Sequence, residues 1–155
     1  MDTNRLPDYP RLVPELYRGL VTESTRVKET TLGKTLAALV DLRVSQINGC
    51  AFCVDMHARE FLATDGDRQR LNSLVTWREV GFYSDRERAA LQWAESLTLL
   101  TASHAPKEHF EALKPHFTDK EIAELTFAVA VINAWNRIAA GLRSPVERKA
   151  LPPGR

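Results

Sequence analysis

The chain has 155 residues, 44% apolar and 26% charged, with 21 basic side chains against 20 acidic ones for a net charge of +1. One domain of that length can bury a core without metals or disulfide staples, and the even charge balance excludes the basic excess of an electrostatic nucleic-acid binder. No run reaches the roughly 18 unbroken apolar residues of a membrane span, and residues 1–7 lack the apolar core of a signal peptide, so neither a membrane nor export is expected and the expected location is the cytoplasm.

Apolar residues recur at helical spacing, and alternating runs of β-branched residues are missing, so the expected fold is all-α: a single domain over residues 1–155 with about seven helices. The first starts near Pro14 and carries Leu16, Leu20 and Val27. The second runs from about Leu32 to Ile47, with Leu32, Leu36, Leu39, Val40 and Ile47 on one stripe, and Asn48-Gly49 ends it. The third starts at about Cys50 and ends near Gly66. Asp67 can cap a fourth through Leu71, Leu74, Val75 and Trp77. Ser84-x-x-Glu87 is a capping-box sequence for a fifth helix with Leu91, Ala94, Leu97 and Thr98. Pro106 suits the first turn of a short sixth. Thr118-x-x-Glu121 is a second capping box, opening a seventh helix from about Asp119 to Gly141. That helix is apolar almost all round between Ile122 and Trp135, which predicts the buried centre of the molecule or a subunit interface. The tail, residues 145–155, is expected to fray.

Only two cysteines occur, three residues apart. Secreted scaffolds spread several cysteines along the chain, whereas an isolated C-x-x-C in a reducing compartment reads as redox-active or metal-binding. Cys50, Cys53 and His57 lie at i, i+3 and i+7, on one helix face. A thiol must ionise to attack. The helix N-terminus at Cys50 favours negative charge, and His57 can take or share the Cys53 proton. Two cysteines at this spacing can also close a disulfide, which completes a two-electron cycle. Two blander readings stay open: a pair of buried inert thiols, or a zinc site made with His104 and His109, although the gap between the pairs is far longer than in zinc fingers. There is no G-x-G-x-x-G and no P-loop, and no cofactor or metal is expected.

Elsewhere, Asn133, Asn136 and Arg137 interrupt an apolar helix and are expected to bond across helix ends or subunits. Trp77, Trp93 and Trp135 are expected as core or interface anchors. His104, His109, His116 and the run Asp85-Arg86-Glu87-Arg88 are expected to be solvated.

The segment Leu42-Arg43-Val44-Ser45-Gln46-Ile47-Asn48-Gly49-Cys50-Ala51-Phe52-Cys53-Val54-Asp55-Met56-His57 resembles the core motif of the AhpD-like alkylhydroperoxidase family, within the carboxymuconolactone decarboxylase superfamily. Val131-Ile132-Asn133-Ala134-Trp135-Asn136-Arg137 resembles a second recurrent stretch of that family. The resemblance covers roughly residues 10–145, with a core over roughly 30–115. It implies an AhpD-like helical bundle with the C-x-x-C at the start of a helix, assembled as a homo-oligomer (trimer or hexamer). It implies a thiol-dependent peroxidase or disulfide reductase of antioxidant defence. The substrate would be a small hydroperoxide and the donor a dithiol of lipoyl or thioredoxin type. By the same resemblance Cys53 attacks the peroxide, Cys50 is proton donor and resolving thiol, and His57 belongs to a proton relay.

The chain departs from the family pattern twice. Ala38 stands where the relay glutamate usually lies, twelve residues before the first cysteine, and Phe52 stands between the cysteines where the best-known peroxidases carry histidine. Asp41, Glu60 and Glu15 are the candidates to replace the missing carboxylate. The competing readings are a redox-sensing or scaffold member with little turnover, and a carboxymuconolactone decarboxylase-like enzyme, in which the cysteine pair has no evident use.

Overall fold

The computed structural model describes residues 4–6 and 8–153. The remaining residues, 1–3, 7, 154 and 155, on which part of the expectations for the N-terminus and the frayed tail fall, lie outside the described residues. Among the described residues there is no strand. The helices are α1 (Tyr9–Leu12), α2 (Pro14–Lys28), α3 (Lys34–Asn48), α4 (Ala51–Thr64), α5 (Arg68–Ser73), α6 (Asp85–Thr98), α7 (Leu100–Ser103), α8 (Lys107–Glu111) and α9 (Asp119–Leu142), with a 3₁₀ segment at Leu74–Glu79. All seven expected helices are present. The short α1 and α7 carry no sequence signal strong enough to announce them.

Local chemistry sets the helix ends. Ser84 and Thr118 each accept a hydrogen bond from the backbone N–H three residues on, and the Glu87 and Glu121 carboxylates accept in turn from the N–H groups of Ser84 and Thr118. Asp67 accepts from the N–H groups of Gln69 and Arg70. These bonds satisfy donors that a helix start otherwise leaves orphaned. Pro106 sits at the N-cap of α8, one residue before the helix.

Tertiary packing departs from the periodicity reading in four places. Leu16 is 75% exposed, and α2 buries none of its residues fully, because it leans on the fold by one edge. The expected fourth helix is α-helical only to Ser73 and continues as the 3₁₀ segment, kinked at Thr76 (φ −119°, ψ 27°), with Val75 exposed. The central helix is α3 and not α9. Nine of the 15 residues of α3 are buried, against seven of the 24 in α9. The reason is that α4, α6 and α9 all pack on α3 and leave it no free side. Finally, Arg86, Glu87 and Arg88 are tied into the fold. Arg86 bonds Glu121 at 2.8 Å and stacks on Phe117, Glu87 pairs with Arg70, and Arg88 donates to the carbonyls of Trp77 and Val80.

The core is a continuous cluster of side chains including Leu36, Leu39, Leu42, Phe61, Leu74, Leu91, Leu113, Leu125 and Val129. Trp77 and Trp93 are buried, each with its indole N–H bonded, to Glu95 (2.8 Å) and Thr126 (3.0 Å) respectively. Burial alone would raise the Glu95 carboxyl, but hydrogen bonds from Trp77, Arg43 and Arg78 outweigh it and hold it below the usual carboxylate range. His109 is half-buried against Ser96 (2.6 Å) and not solvated. By length and composition alone α9 matches a membrane span. Here it lies against α2, α3, α4 and α6. The described part of the tail, with no helix beyond Leu142, is strapped to α4 by Arg59, which donates to the carbonyls of Lys149 and Ala150.

Candidate active site

The site is built on the turn between the central helix and α4. Gly49 adopts a left-handed conformation (φ +66°), which an L side chain rarely takes. Its N–H bonds to the Gln46 carbonyl at 3.2 Å, and the Cys50 N–H bonds to the Ser45 carbonyl at 3.1 Å. This crossed pair is a Schellman ending, and it leaves Cys50 as the N-cap of the next helix. Cys50 Sγ accepts from the Cys53 N–H at 3.3 Å. The two sulfurs are joined in a disulfide, with the Cα atoms 5.3 Å apart. Both cysteines are 1% exposed.

Behind the disulfide runs a polar ladder that the apolar text of α9 only hinted at. Asn136, fully buried, donates to Ser45 Oγ at 3.0 Å. Asn48 donates to Asn136 (2.8 Å) and Asn133 (2.9 Å), and Arg137 bonds Asn133 in turn. These polar residues pin the C-terminal end of α3, and with it the cysteine turn, to α9. A buried amide without such partners would cost free energy.

His57 lies one turn beyond Cys53 on α4 and is 3% exposed. Its Nδ1 is 2.8 Å from Glu60 Oε2 and 3.8 Å from Asp41 Oδ2, while its Nε2 is buried with no hydrogen-bond partner among the described residues. Glu60 Oε1 also takes the Lys28 ammonium at 2.5 Å. Partial burial works against ionising Glu60, but the hydrogen bonds from His57 and Lys28 outweigh it and pull its carboxyl down to about 2. Asp41 is different. It is 6% exposed, and among the described residues its carboxylate has only the His57 ring nitrogen at 3.8 Å and no hydrogen bond. Desolvation dominates there, and despite the attraction of His57 and Lys28 its carboxyl is pushed up to about 6.

Of the three candidates for the missing carboxylate, then, Glu60 touches His57 and Asp41 stands close to it. Glu15 does not reach the site: it is exposed on the first turn of α2 and pairs with Arg18. Ala38 packs into the apolar core. Asp41, Glu60 and His57 present atoms within 4.8 Å of one another, a spacing and donor set compatible with a divalent cation. Lys28 already supplies a positive charge to Glu60 at that point. Neither His104 nor His109 joins the cysteines in such a cluster among the described residues.

A cavity of about 340 Å³ opens beside the disulfide. It is lined by Cys53 and His57 but not by Cys50. Asp41 and Lys28 contribute an acidic and a basic side chain. Val21, Val27, Met56, Phe52 and Ile132 are among its apolar walls. Trp135, expected as a core or interface anchor, packs against the core and also stands in the cavity wall, with its indole N–H on Ser24 Oγ at 2.6 Å. Lys28, Ser24 and the ring pair Tyr9 and Tyr17 belong to the site although no sequence pattern singled them out. They reach it from α1 and α2, far from the cysteine motif in the chain.

The model of the carboxymuconolactone decarboxylase family matches residues 7–96. An uncharacterised Bacillus subtilis protein, YdfG, is 33% identical over 134 residues, covering 86% of this chain and 91% of that one. A crystal structure of an Agrobacterium tumefaciens protein of unknown function, provisionally assigned as the antioxidant defence protein AhpD, superposes with a TM-score of 0.89. It shares 40% identity, and the match covers 94% of this chain and 100% of that one. The debrominase Bmp8 shares the fold, with a TM-score of 0.75 at 21% identity over 86% of this chain and 72% of its own.

Proposed function

This chain belongs to the carboxymuconolactone decarboxylase family, in its AhpD-like branch, and on that premise we propose that it is a thiol-dependent peroxidase that cycles through the Cys50–Cys53 disulfide. One observation carries the reading: Cys53, and not Cys50, faces the cavity, beside a histidine whose Nδ1 is held by a carboxylate and whose Nε2 is uncommitted. A neutral imidazole that donates from Nδ1 to an ionised Glu60 keeps its lone pair on Nε2, the form a general base needs.

In the reduced protein the Cys53 thiolate attacks the terminal oxygen of a hydroperoxide. The O–O bond breaks, the alcohol leaves with a proton from the site, and Cys53 becomes a sulfenic acid. The Cys50 thiol then attacks that sulfur, the S–S bond forms and water leaves. An external dithiol returns two electrons and two protons. The cysteines are buried and approached through the cavity, which favours a slender lipoyl-type arm over the broad face of a folded thioredoxin. Such a cycle suits a reducing compartment such as the cytoplasm. The exposed Phe127 on α9 supports assembly into a homo-oligomer, a trimer or hexamer.

A second reading, a redox sensor with little turnover, is favoured by Ala38, which leaves the usual relay position apolar. Peroxide consumption by the pre-reduced protein with excess dithiol separates the two. Turnover that vanishes in Cys53→Ser supports the peroxidase. A single stoichiometric oxidation selects the sensor.

A further inference from the structure

We infer that the cavity over Cys53 is shaped to hold a planar aromatic ring, and that the substrate carries one. This deepens the peroxidase reading and rests on the cavity being the substrate site.

Size is the first argument. A water molecule occupies about 30 Å³ of liquid, and hydrogen peroxide is little larger, so either would leave most of a cavity of about 340 Å³ to solvent. The volume is that of a site for an organic ligand.

The walls supply the second. Trp135 cannot turn freely: its N–H donates to Ser24 Oγ at 2.6 Å, and the same hydroxyl donates to the Leu20 carbonyl at 2.9 Å. The Tyr17 ring meets the indole edge-on, with centroids 5.7 Å apart and planes at 80°. Tyr9 meets Tyr17 likewise, at 6.0 Å and 71°. All three rings line the cavity, and Phe52 adds a fourth. Successive rings set near-perpendicular offer a ligand both ring faces and ring edges. An aromatic ligand complements these through its quadrupole, whereas a saturated one gains only area. Ionisable side chains in the lining, apart from Cys53 and the tyrosines, are confined to Lys28, Asp41 and His57.

Calorimetric titration of the oxidised protein tests this with dimethylphenylcarbinol, the alcohol that a ring-bearing hydroperoxide would leave, and its saturated twin dimethylcyclohexylcarbinol. The two have the same carbon skeleton and differ in aromaticity. The aromatic alcohol is expected to bind about tenfold more tightly. Tyr17→Leu should erase most of that preference while the saturated alcohol still binds. Equal affinity, tighter binding of the saturated alcohol, or binding of neither overturns the inference. Absence of peroxide turnover with the preference intact would remove the peroxidase reading and leave the ring site. Turnover with no preference would do the reverse.

Discussion

His57 Nδ1 is 2.8 Å from Glu60 Oε2, three residues further along the same helix. That carboxylate lies on α4 itself, and Lys28 from α2 holds its other oxygen. The histidine is thereby oriented from within its own helix.

Glu60→Gln is expected to lower kcat/KM for peroxide reduction about 10- to 100-fold, since the amide can still bond the ring but no longer balances charge on it. Glu60→Asp should recover part of the loss. Thermal unfolding should move little, because Glu60 is one-third exposed and its ion pair with Lys28 is screened. Unaltered kcat/KM in Glu60→Gln would remove Glu60 from the relay.

The two cysteines should fail in different ways. Cys53→Ser is expected to abolish peroxide consumption altogether. Cys50→Ser should still be oxidised once, leaving a sulfenic acid on Cys53 that dimedone labels and mass spectrometry detects. Label on Cys50 in the reciprocal mutant, with none on Cys53, would invert the assignment.

Asp41 makes stability depend on pH. Burial pushes its carboxyl up to about 6 from an ordinary value of 3.8. Between those values the folded state holds the proton more firmly than the unfolded one, so stability falls as pH rises through that window, and the whole penalty is present above it. Asp41→Asn should therefore stabilise the oxidised protein at pH 7.5 by on the order of 3 kcal/mol relative to its effect near pH 3. Urea unfolding at the two pH values measures the difference, and equal effects at both would contradict the upward shift of the buried carboxyl.

Gly49→Ala forces a methyl group onto a left-handed residue. A loss of about 1 kcal/mol is expected. Since Gly49 also sets the position of the Cys50 cap, the mutant should show a shifted disulfide redox equilibrium against a dithiol buffer. A stability change without a redox change would limit the glycine to ending the helix.

Phe127 is 70% exposed on α9. If that face joins copies of the chain, Phe127→Glu should reduce the mass seen by light scattering at micromolar concentration while leaving the helical circular dichroism intact. A wild-type protein that already scatters as a monomer would remove the oligomer.

Much of this molecule depends on chemistry within one or two helical turns, and that part was legible from the residues alone. The caps at Asp67, Ser84 and Thr118, the glycine ending at Gly49, the start of a helix at Cys50 with Cys53 and His57 one turn apart on it, and the candidacy of Glu60 at i+3 from His57 all follow from local geometry. What the sequence left open is what chain distance hides. Lys28 meets Glu60 across 32 residues, and Trp135 meets Ser24 across 111. The choice of α3 over α9 as the centre, the exclusion of Glu15, the burial of Asp41 and the aromatic wall of the cavity depend on which helix faces meet. An apolar stripe specifies only that a face must be covered, and tertiary packing decides what covers it.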